Sequence, residues 1–309
     1  MRAMLSLFLF LNIVHLSAQQ PVIPTLDENH RFVFHIGNVT VVINPSHGAR
    51  IESYKLDESE FLYLESKPGQ EDNYGSTCWL SPQYLWGWPP QKEIDTDPYN
   101  GGIVDGKLVL TSGAATANNN ISFSIAKTFS ADLHDSSFTI KYEITNKSSE
   151  PKSFATWEVM RVPVGGLTFF PINGEVCGGL APAFEILDGI AFWDSYRFSK
   201  TFYKGYADGK DGWLAHVDKN RLLHFKKFSD TQSNFPKQDD GLPYQQELEF
   251  WANDKMYYNE IEKQSAYNVV AINASSVLTI TWYLRRLPES INPAAGNPAL
   301  IKYVQRFVE

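Results

Sequence analysis

The chain has 309 residues, a formal net charge of −8 and a pI near 5.4. This acidic balance excludes the broad basic surface that nucleic acids require, and it makes an acidic polysaccharide a poor ligand. The length suits one large all-β domain or two smaller domains. The two cysteines, Cys78 and Cys177, could form at most one disulfide, and their spacing leaves the pairing open.

The N-terminus has the pattern of an export signal. Arg2 precedes an apolar run over residues 4–14, and Leu16-Ser17-Ala18 follows before Gln19. Because this run is too short to span a bilayer, residues 1–18 are predicted to form a cleavable signal peptide. The mature chain, residues 19–309, is therefore expected in the periplasm or outside the cell, without a membrane span.

Strand patterns dominate the mature chain. Residues 32–44 read as a hairpin with Gly37-Asn38 at the turn, because β-branched and aromatic runs flank that pair. Residues 138–145 alternate strictly between apolar and polar side chains, which predicts a half-buried strand. Residues 213–217 and 277–285 are also predicted strands. The second of these places four apolar side chains on one face: Leu278, Ile280, Trp282 and Leu284.

Helical spacing is confined to short segments. The clearest is residues 298–308, where apolar side chains recur every three or four positions. Internal repeats and linkers rich in Gly, Ser or Pro are absent from the sequence. We therefore predict one all-β domain over residues 19–309, built as a large antiparallel β-sandwich with few short helices.

Residues 76–90 hold three of the chain's eight tryptophans. The segment lacks both strand and helix periodicity, and its prolines and glycine predict an ordered loop. Sugar rings stack their C–H faces on indole and bond polar neighbours through their hydroxyls, so a sugar or glycan ligand is expected. The alternative is a plug that closes the protein's own core. The candidate ligand-binding residues are Trp79, Trp86 and Trp88, with Asn73 and Gln83 as polar neighbours.

Two glutamates near the C-terminus are the first candidates for catalysis. On a strand, Tyr258, Glu260 and Glu262 share a face, with the two carboxylates about 6–7 Å apart. If this face lines a cleft, repulsion and burial raise one pKa and create a general acid or base. If the face is exposed to water, the two glutamates are ordinary solvated charges.

The segment 155–161 is a second candidate for catalysis. Strand alternation places Glu158 on the face opposite Trp157 and Arg161, so the three cannot enter one pocket without a bulge. Either Glu158 or Arg161 is therefore expected to be structural, for example in a cross-strand ion pair.

Metal-binding patterns are weak. The histidines show neither H-x-H nor H-E-x-x-H spacing. Glu93, Asp95 and Asp97 offer oxygen ligands but lack the glycine and the distal glutamate of a calcium loop. We therefore expect no metal and no cofactor.

Several of these segments together resemble the galactose mutarotase-like family. Residues 48–54 resemble its early glycine-alanine turn, residues 146–158 resemble the turn before its central strand, and 260–262 lie where it places a catalytic glutamate. The resemblance covers most of the mature chain and implies a large antiparallel β-supersandwich. More narrowly, residues 79–83 and 86–90 resemble a secreted bacterial family known only as a domain of unknown function.

The resemblance also implies a chemistry. In aldose 1-epimerases of this fold, a histidine on the central strand protonates the ring oxygen, and a late glutamate removes the anomeric hydroxyl proton. Glu260 or Glu262 is the implied base. At the histidine position the chain has Thr156-Trp157-Glu158, so Glu158 is the implied acid if burial raises its pKa.

Three functions follow from these patterns. The first is a divergent aldose epimerase or related carbohydrate-active enzyme that uses Glu158, Glu260 and Glu262. The second is a glycan-binding protein without catalysis, and the third is a structural module whose tryptophan segment plugs the sandwich. The expected substrate-binding residues are Asn73, Trp79, Gln83, Trp86, Trp88, Arg50 and Arg161.

Overall fold

The computed structural model describes residues 20–65, 72–174, 177–178, 184–194, 203–231, 246–252 and 257–308. The predicted signal peptide, residues 1–18, lies outside these ranges. Two antiparallel sheets make up most of the described chain, and the main apolar core contains side chains from both sheets.

The first sheet has twelve strands: β1 (Thr25–Leu26), β2 (Phe32–Ile36), β3 (Val39–Asn44), β4 (Arg50–Leu56), β5 (Ser59–Glu60), β6 (Ser76–Ser81), β12 (Lys152–Pro163), β14 (Cys177–Gly178), β17 (Tyr203–Ala207), β20 (Leu248–Ala252), β21 (Tyr258–Gln264) and β22 (Asn268–Val270). Their spatial order is β1-β2-β3-β4-β6-β12-β21-β20-β17-β14. Of the remaining two, β5 pairs with β4, and β22 pairs with β12.

The second sheet has eleven strands: β7 (Asn100–Val104), β8 (Lys107–Thr111), β9 (Ala115–Ala117), β10 (Ile121–Asp132), β11 (Ser137–Asn146), β13 (Leu167–Pro171), β15 (Glu185–Leu187), β16 (Ile190–Asp194), β18 (Trp213–Val217), β19 (Leu222–Phe228) and β23 (Ser275–Arg286). Their order is β15-β16-β13-β18-β19-β23-β11-β10-β8-β7, with β9 beside β10. The all-β prediction, with few short helices, is confirmed.

Local alternation explains the long strands. The predicted hairpin of residues 32–44 forms β2 and β3, and the predicted strand 138–145 lies within β11. On β23, the four apolar side chains predicted to share a face are all buried. Such one-sided burial is what a period of two produces when one face meets the core.

Helices are few and short. Helix α1 spans Lys92–Asp95, and α2 spans Pro298–Val308, the range predicted from sequence. Helix α2 packs on the outer face of the second sheet, where Phe307 stacks on Phe225 at 5.3 Å between ring centroids. Within the described part of the chain, neither helix is long and apolar enough to cross a bilayer.

One prediction is wrong in part: residues 76–90, the tryptophan segment, do not form a loop throughout. Its first six residues form β6, which lies between β4 and β12 in the first sheet, rather than a loop. Every residue of β6 is buried, because one face meets the core and the other lies under the pocket described below. Burial on both faces removes the apolar–polar alternation by which a half-exposed strand is recognised.

The structure describes the side chain of Cys78 but not that of Cys177. Cys78 is a free, fully buried thiol on β6, and burial raises its pKa to about 12. The side chain of Cys177 lies outside the described residues. Cys78 is therefore a poor nucleophile and acts as a small apolar residue of the core.

Candidate functional site

The first sheet carries a cavity of about 320 Å³ on the face turned away from the core. Five strands supply most of its lining: β6, β12, β17, β20 and β21. The lining side chains are Asn73, Trp79, Gln83, Trp88, Trp157, Lys204, Glu249, Trp251, Tyr258, Glu260 and Glu262.

Strand register brings these side chains together. Trp157 on β12 lies opposite Trp79 on β6, and Glu262 on β21 lies opposite Glu249 on β20. Trp251 is likewise the cross-strand partner of Glu260. Directly opposed residues project to the same side of a sheet, so neighbouring strands build one continuous surface.

Tryptophans form one wall of the cavity. The ring of Trp79 lies 5.4 Å from Trp157 and 5.8 Å from Trp88, both in edge-to-face geometry. Trp79 is almost completely buried, whereas Trp88 is 58% exposed and forms the rim. Trp86 packs behind them and donates its indole N–H to the carbonyl of Leu80 at 2.7 Å, so it supports the wall.

A buried guanidinium lies beside this wall. Arg161 is fully buried, and its Nε lies 2.9 Å from Oε1 of Glu260. The guanidinium carbon also lies 5.1 Å from the ring centroid of Trp79 and 5.8 Å from that of Tyr258. Arg161 therefore supports the site through Glu260 and two aromatic rings.

Three carboxylates meet at the floor of the cavity. Lys204 Nζ lies 2.8 Å from Oε1 of Glu249, and the amide of Gln264 donates to Oε2 of Glu249 at 3.0 Å. The indole N–H of Trp157 donates to Oε2 of Glu262. Oε1 of Glu262 is buried without a donor among the described residues.

Burial raises the pKa of all three carboxyls, but their surroundings differ. At Glu260, Arg161 and Lys204 oppose the effect of burial, and Lys204 does so at Glu249. At Glu262, repulsion from Glu249 and Glu260 adds to burial, so its pKa lies well above the ordinary value. A proton shared among these groups is therefore held preferentially by Glu262.

Arg50 lies outside this cavity and supports it from behind. Its guanidinium is buried, pairs with Asp95 Oδ2 at 3.0 Å and donates to the carbonyls of Asp72 and Tyr74 at 2.6 and 2.9 Å. Those bonds hold the segment that carries Asn73. The sequence pattern predicts that Arg50 binds substrate, whereas its contacts in the structure are those of a positioning residue.

Glu158 also lies away from the cavity. It is fully buried on the core face of β12, where Oε2 lies 2.7 Å from Lys226 Nζ on β19. Alternation places Glu158 on the opposite side of the sheet from Trp157 and Arg161. Burial raises the pKa of Glu158 and Lys226 opposes that shift, yet the group has no access to the cavity.

The structure thus divides the residues singled out from the sequence. Those that line the cavity are Asn73, Trp79, Gln83, Trp88, Glu260 and Glu262. Trp86, Arg161 and Arg50 support it, and Glu158 lies in the core. The sequence reasoning missed Lys204, Glu249 and Trp251. Glu249 and Trp251 are two residues apart, so on a strand their side chains share a face. This spacing could have indicated a second polar and aromatic face beside Glu260 and Glu262.

Two large antiparallel sheets packed around one core, with an open pocket on the outer face of one sheet, define a β-supersandwich. Solved structures with this architecture include a galactose mutarotase-like protein from Lactobacillus casei, with a TM-score of 0.58 and 13% identity over 82% of this chain and 100% of that one. A galactose mutarotase-like protein from Clostridium acetobutylicum gives 0.57 and 12% over 87% and 99%. A galactose mutarotase related enzyme from Lactobacillus acidophilus gives 0.55 and 12% over 85% and 99%.

The chain therefore has the galactose mutarotase-like fold. No protein-family model matches the sequence, and no curated protein does either. The narrower resemblance to a secreted bacterial family remains a prediction.

Proposed function

We propose that the cavity binds a sugar and catalyses proton transfer at its anomeric centre, as a divergent aldose 1-epimerase-like enzyme. One observation carries the proposal: tryptophan and tyrosine side chains surround three carboxyls, of which Glu249 and Glu262 are buried and Glu260 is partly exposed. One oxygen of Glu262 has no hydrogen-bond donor among the described residues. The supersandwich fold supports the same conclusion. The pattern of residues 1–18 supports the further proposal that the protein is exported and meets this sugar outside the cytoplasm.

The charges of the cavity favour a neutral sugar. Lys204 and Arg161 each form an ion pair with one carboxylate, Glu249 and Glu260 respectively. The raised pKa of Glu262 favours its neutral form, and with Glu262 neutral the two ion pairs leave the floor with little net charge. Its aromatic faces suit sugar C–H groups, and Asn73 and Gln83 offer amides to hydroxyls.

The two glutamates of β21 supply the proposed chemistry. Glu260, held by Arg161, removes the anomeric hydroxyl proton, and the electron pair of that O–H bond forms the carbonyl. The bond between the anomeric carbon and the ring oxygen breaks, and the ring oxygen takes the proton of Glu262. Rotation at the open chain followed by the reverse transfers gives the other anomer, with both glutamates restored.

One observation favours a second candidate, a glycan-binding protein without catalysis. Among the described residues that line the cavity there is no histidine. Thr156-Trp157-Glu158 occupies the part of the central strand where the resemblance places one. In this alternative the same aromatic walls bind the sugar, and the carboxyls only accept hydrogen bonds from it.

Anomeric exchange separates the two candidates. We expect the mature protein to accelerate interconversion of sugar anomers, measured by NMR exchange across a panel of monosaccharides. Glu260→Gln and Glu262→Gln should each lower the rate by about 10²–10⁴-fold while sugar binding is retained, because a general base or acid is lost. Glu143→Gln, on β11 of the second sheet, is the matched control.

The pH profile assigns the two roles. The wild-type rate should rise with pH as Glu260 loses its proton and fall at higher pH as Glu262 loses its own, giving a bell. In Glu262→Gln the fall at high pH should disappear. Saturable binding without exchange in the wild type supports the glycan-binding candidate, and the absence of both binding and exchange contradicts both.

A further inference from the structure

A second acidic cluster lies at one end of the sandwich, where the two sheets meet. Asp208 follows β17, Asp230 follows β19 and Glu247 precedes β20. Each contributes a carboxylate oxygen, and these three oxygens lie within 4.8 Å of one another. Two of the strands belong to the first sheet and one to the second, so the cluster joins both sheets.

One lysine, Lys263, reaches this cluster, but most of the negative charge of the three carboxylates remains uncompensated. Lys263 Nζ bonds Glu247 Oε2 at 2.8 Å, the hydroxyl of Thr231 at 2.8 Å and the carbonyl of Gln264 at 2.7 Å. An ammonium group has three protons, so these acceptors occupy all of its donors. The three carboxylates and one ammonium leave a net charge of about −2 when ionised.

One oxygen of Glu247 is buried and unpartnered. The backbone N–H of Thr231 and Lys263 both bond Oε2, whereas Oε1 has no hydrogen-bond partner among the described residues, and Glu247 is fully buried. A Cβ built on Gly209 would lie 2.5 Å from Oε1, so this oxygen points at the turn that carries Asp208. A buried carboxylate oxygen aimed into an acidic cluster needs a cation or a proton.

We propose that Asp208, Asp230 and Glu247 bind a divalent cation, with Ca²⁺ as the preferred ion. The three ligands are carboxylate oxygens, which hard divalent cations prefer over nitrogen or sulfur donors. One divalent ion would neutralise the net charge of about −2 left by the three carboxylates and Lys263. Gly209 leaves the space in which Glu247 Oε1 approaches the Asp208 turn. The sequence offered no metal motif here, because the three ligands come from separate elements that only the fold brings together.

Calcium binding to the full mature chain tests the site. After chelator treatment and desalting, calorimetric titration with CaCl₂ should give saturable binding with one ion per chain, and added Ca²⁺ should raise Tm. Glu247→Gln and Asp230→Asn should each raise Kd by at least about tenfold, because each removes a charged ligand. Asp230 is exposed, so its substitution leaves folding intact.

A matched control lies in the same turn. Asp211→Asn makes the same chemical change three residues from Asp208, at an exposed position outside the cluster, and should bind Ca²⁺ as the wild type does. MgCl₂ and ZnCl₂ titrations test the preference for Ca²⁺, and tighter binding of either contradicts the ion assigned here. Absence of saturable binding of all three ions, or equal loss of affinity in Asp211→Asn, overturns the site.

Discussion

At the residue scale, Glu262 differs from its neighbours in what surrounds it. Glu249 and Glu260 each have a cation within 3 Å of one oxygen, at 2.8 and 2.9 Å. Glu262 has an indole N–H on one oxygen and two carboxyls nearby, so burial and repulsion raise its pKa together. Similar carboxyls on adjacent strands thus acquire different proton affinities, which acid–base chemistry requires.

Trp79 and Trp88 both line the cavity but differ in exposure, and Trp88→Ala and Trp79→Ala test the roles of these two residues. Trp88 is 58% exposed, so its loss should weaken sugar binding by about 1–3 kcal/mol and leave Tm nearly unchanged. Trp79 contacts three other tryptophans and is nearly buried, so its loss should destabilise the fold by about 3–5 kcal/mol. Calorimetric titration with the sugar and thermal melts measure the two effects, and equal effects on stability would show that both residues are plugs.

At the element scale, the short helix α1 anchors the strands beneath the site. Its last residue, Asp95, accepts the indole N–H of Trp79 at 2.8 Å and pairs with Arg50. Burial favours the neutral form of Asp95, but Arg50 opposes this and the pKa lies below its ordinary value. Gly48 makes the approach possible, because a Cβ there would lie 2.1 Å from the Asp95 carbonyl oxygen.

Removing the charge of Asp95 should therefore damage the fold around the site. Asp95→Asn leaves Arg50 buried without a charged partner, and we expect a loss of about 3–5 kcal/mol in the free energy of unfolding. Asp97→Asn is the matched control, since the carboxylate of Asp97 is 41% exposed and lies 3.7 Å from Lys92, and it should cost less than about 1 kcal/mol. Urea denaturation measures both, and similar losses in the two variants would show that the Arg50 pair is unimportant.

At the scale of the whole molecule, an ion pair crosses the core between the sheets. Glu158 belongs to β12 of the first sheet and Lys226 to β19 of the second, and both are buried. Lys226 also donates to the carbonyl of Ile261 at 2.9 Å. The pair therefore holds the first sheet, which carries the cavity, in a fixed position against the second sheet.

Breaking this pair on one side should cost more than replacing both partners. Lys226→Met leaves the Glu158 carboxyl buried without its cation, and we expect a loss of about 3–5 kcal/mol. Adding Glu158→Leu to Lys226→Met should recover most of that loss, because two apolar side chains need no partner. Urea denaturation measures the free energy of unfolding of both variants, and a double variant no more stable than Lys226→Met would contradict this expectation.

The spacing of apolar residues in the sequence correctly predicted those strands and helices that have one face exposed to solvent. The hairpin of residues 32–44, strand β11, the buried face of β23 and helix α2 follow from periodicity that neighbouring residues determine. Strand β6 was missed because both of its faces are buried, which erases that periodicity. The same period of two correctly placed Glu158 on the opposite face of β12 from Trp157 and Arg161. It therefore indicated that Glu158 and Arg161 could not both face one pocket.

The sequence by itself determined which side chains share a face of each strand, because alternation is a local property of the extended backbone. It also determined the aromatic and acidic character of the cavity through Trp79, Trp88, Glu260 and Glu262. Only the tertiary structure decided that Lys204, Glu249 and Trp251 join them, and that Arg50 supports the site from behind. Register between strands distant in the chain decides which faces meet, and register depends on packing across the whole core.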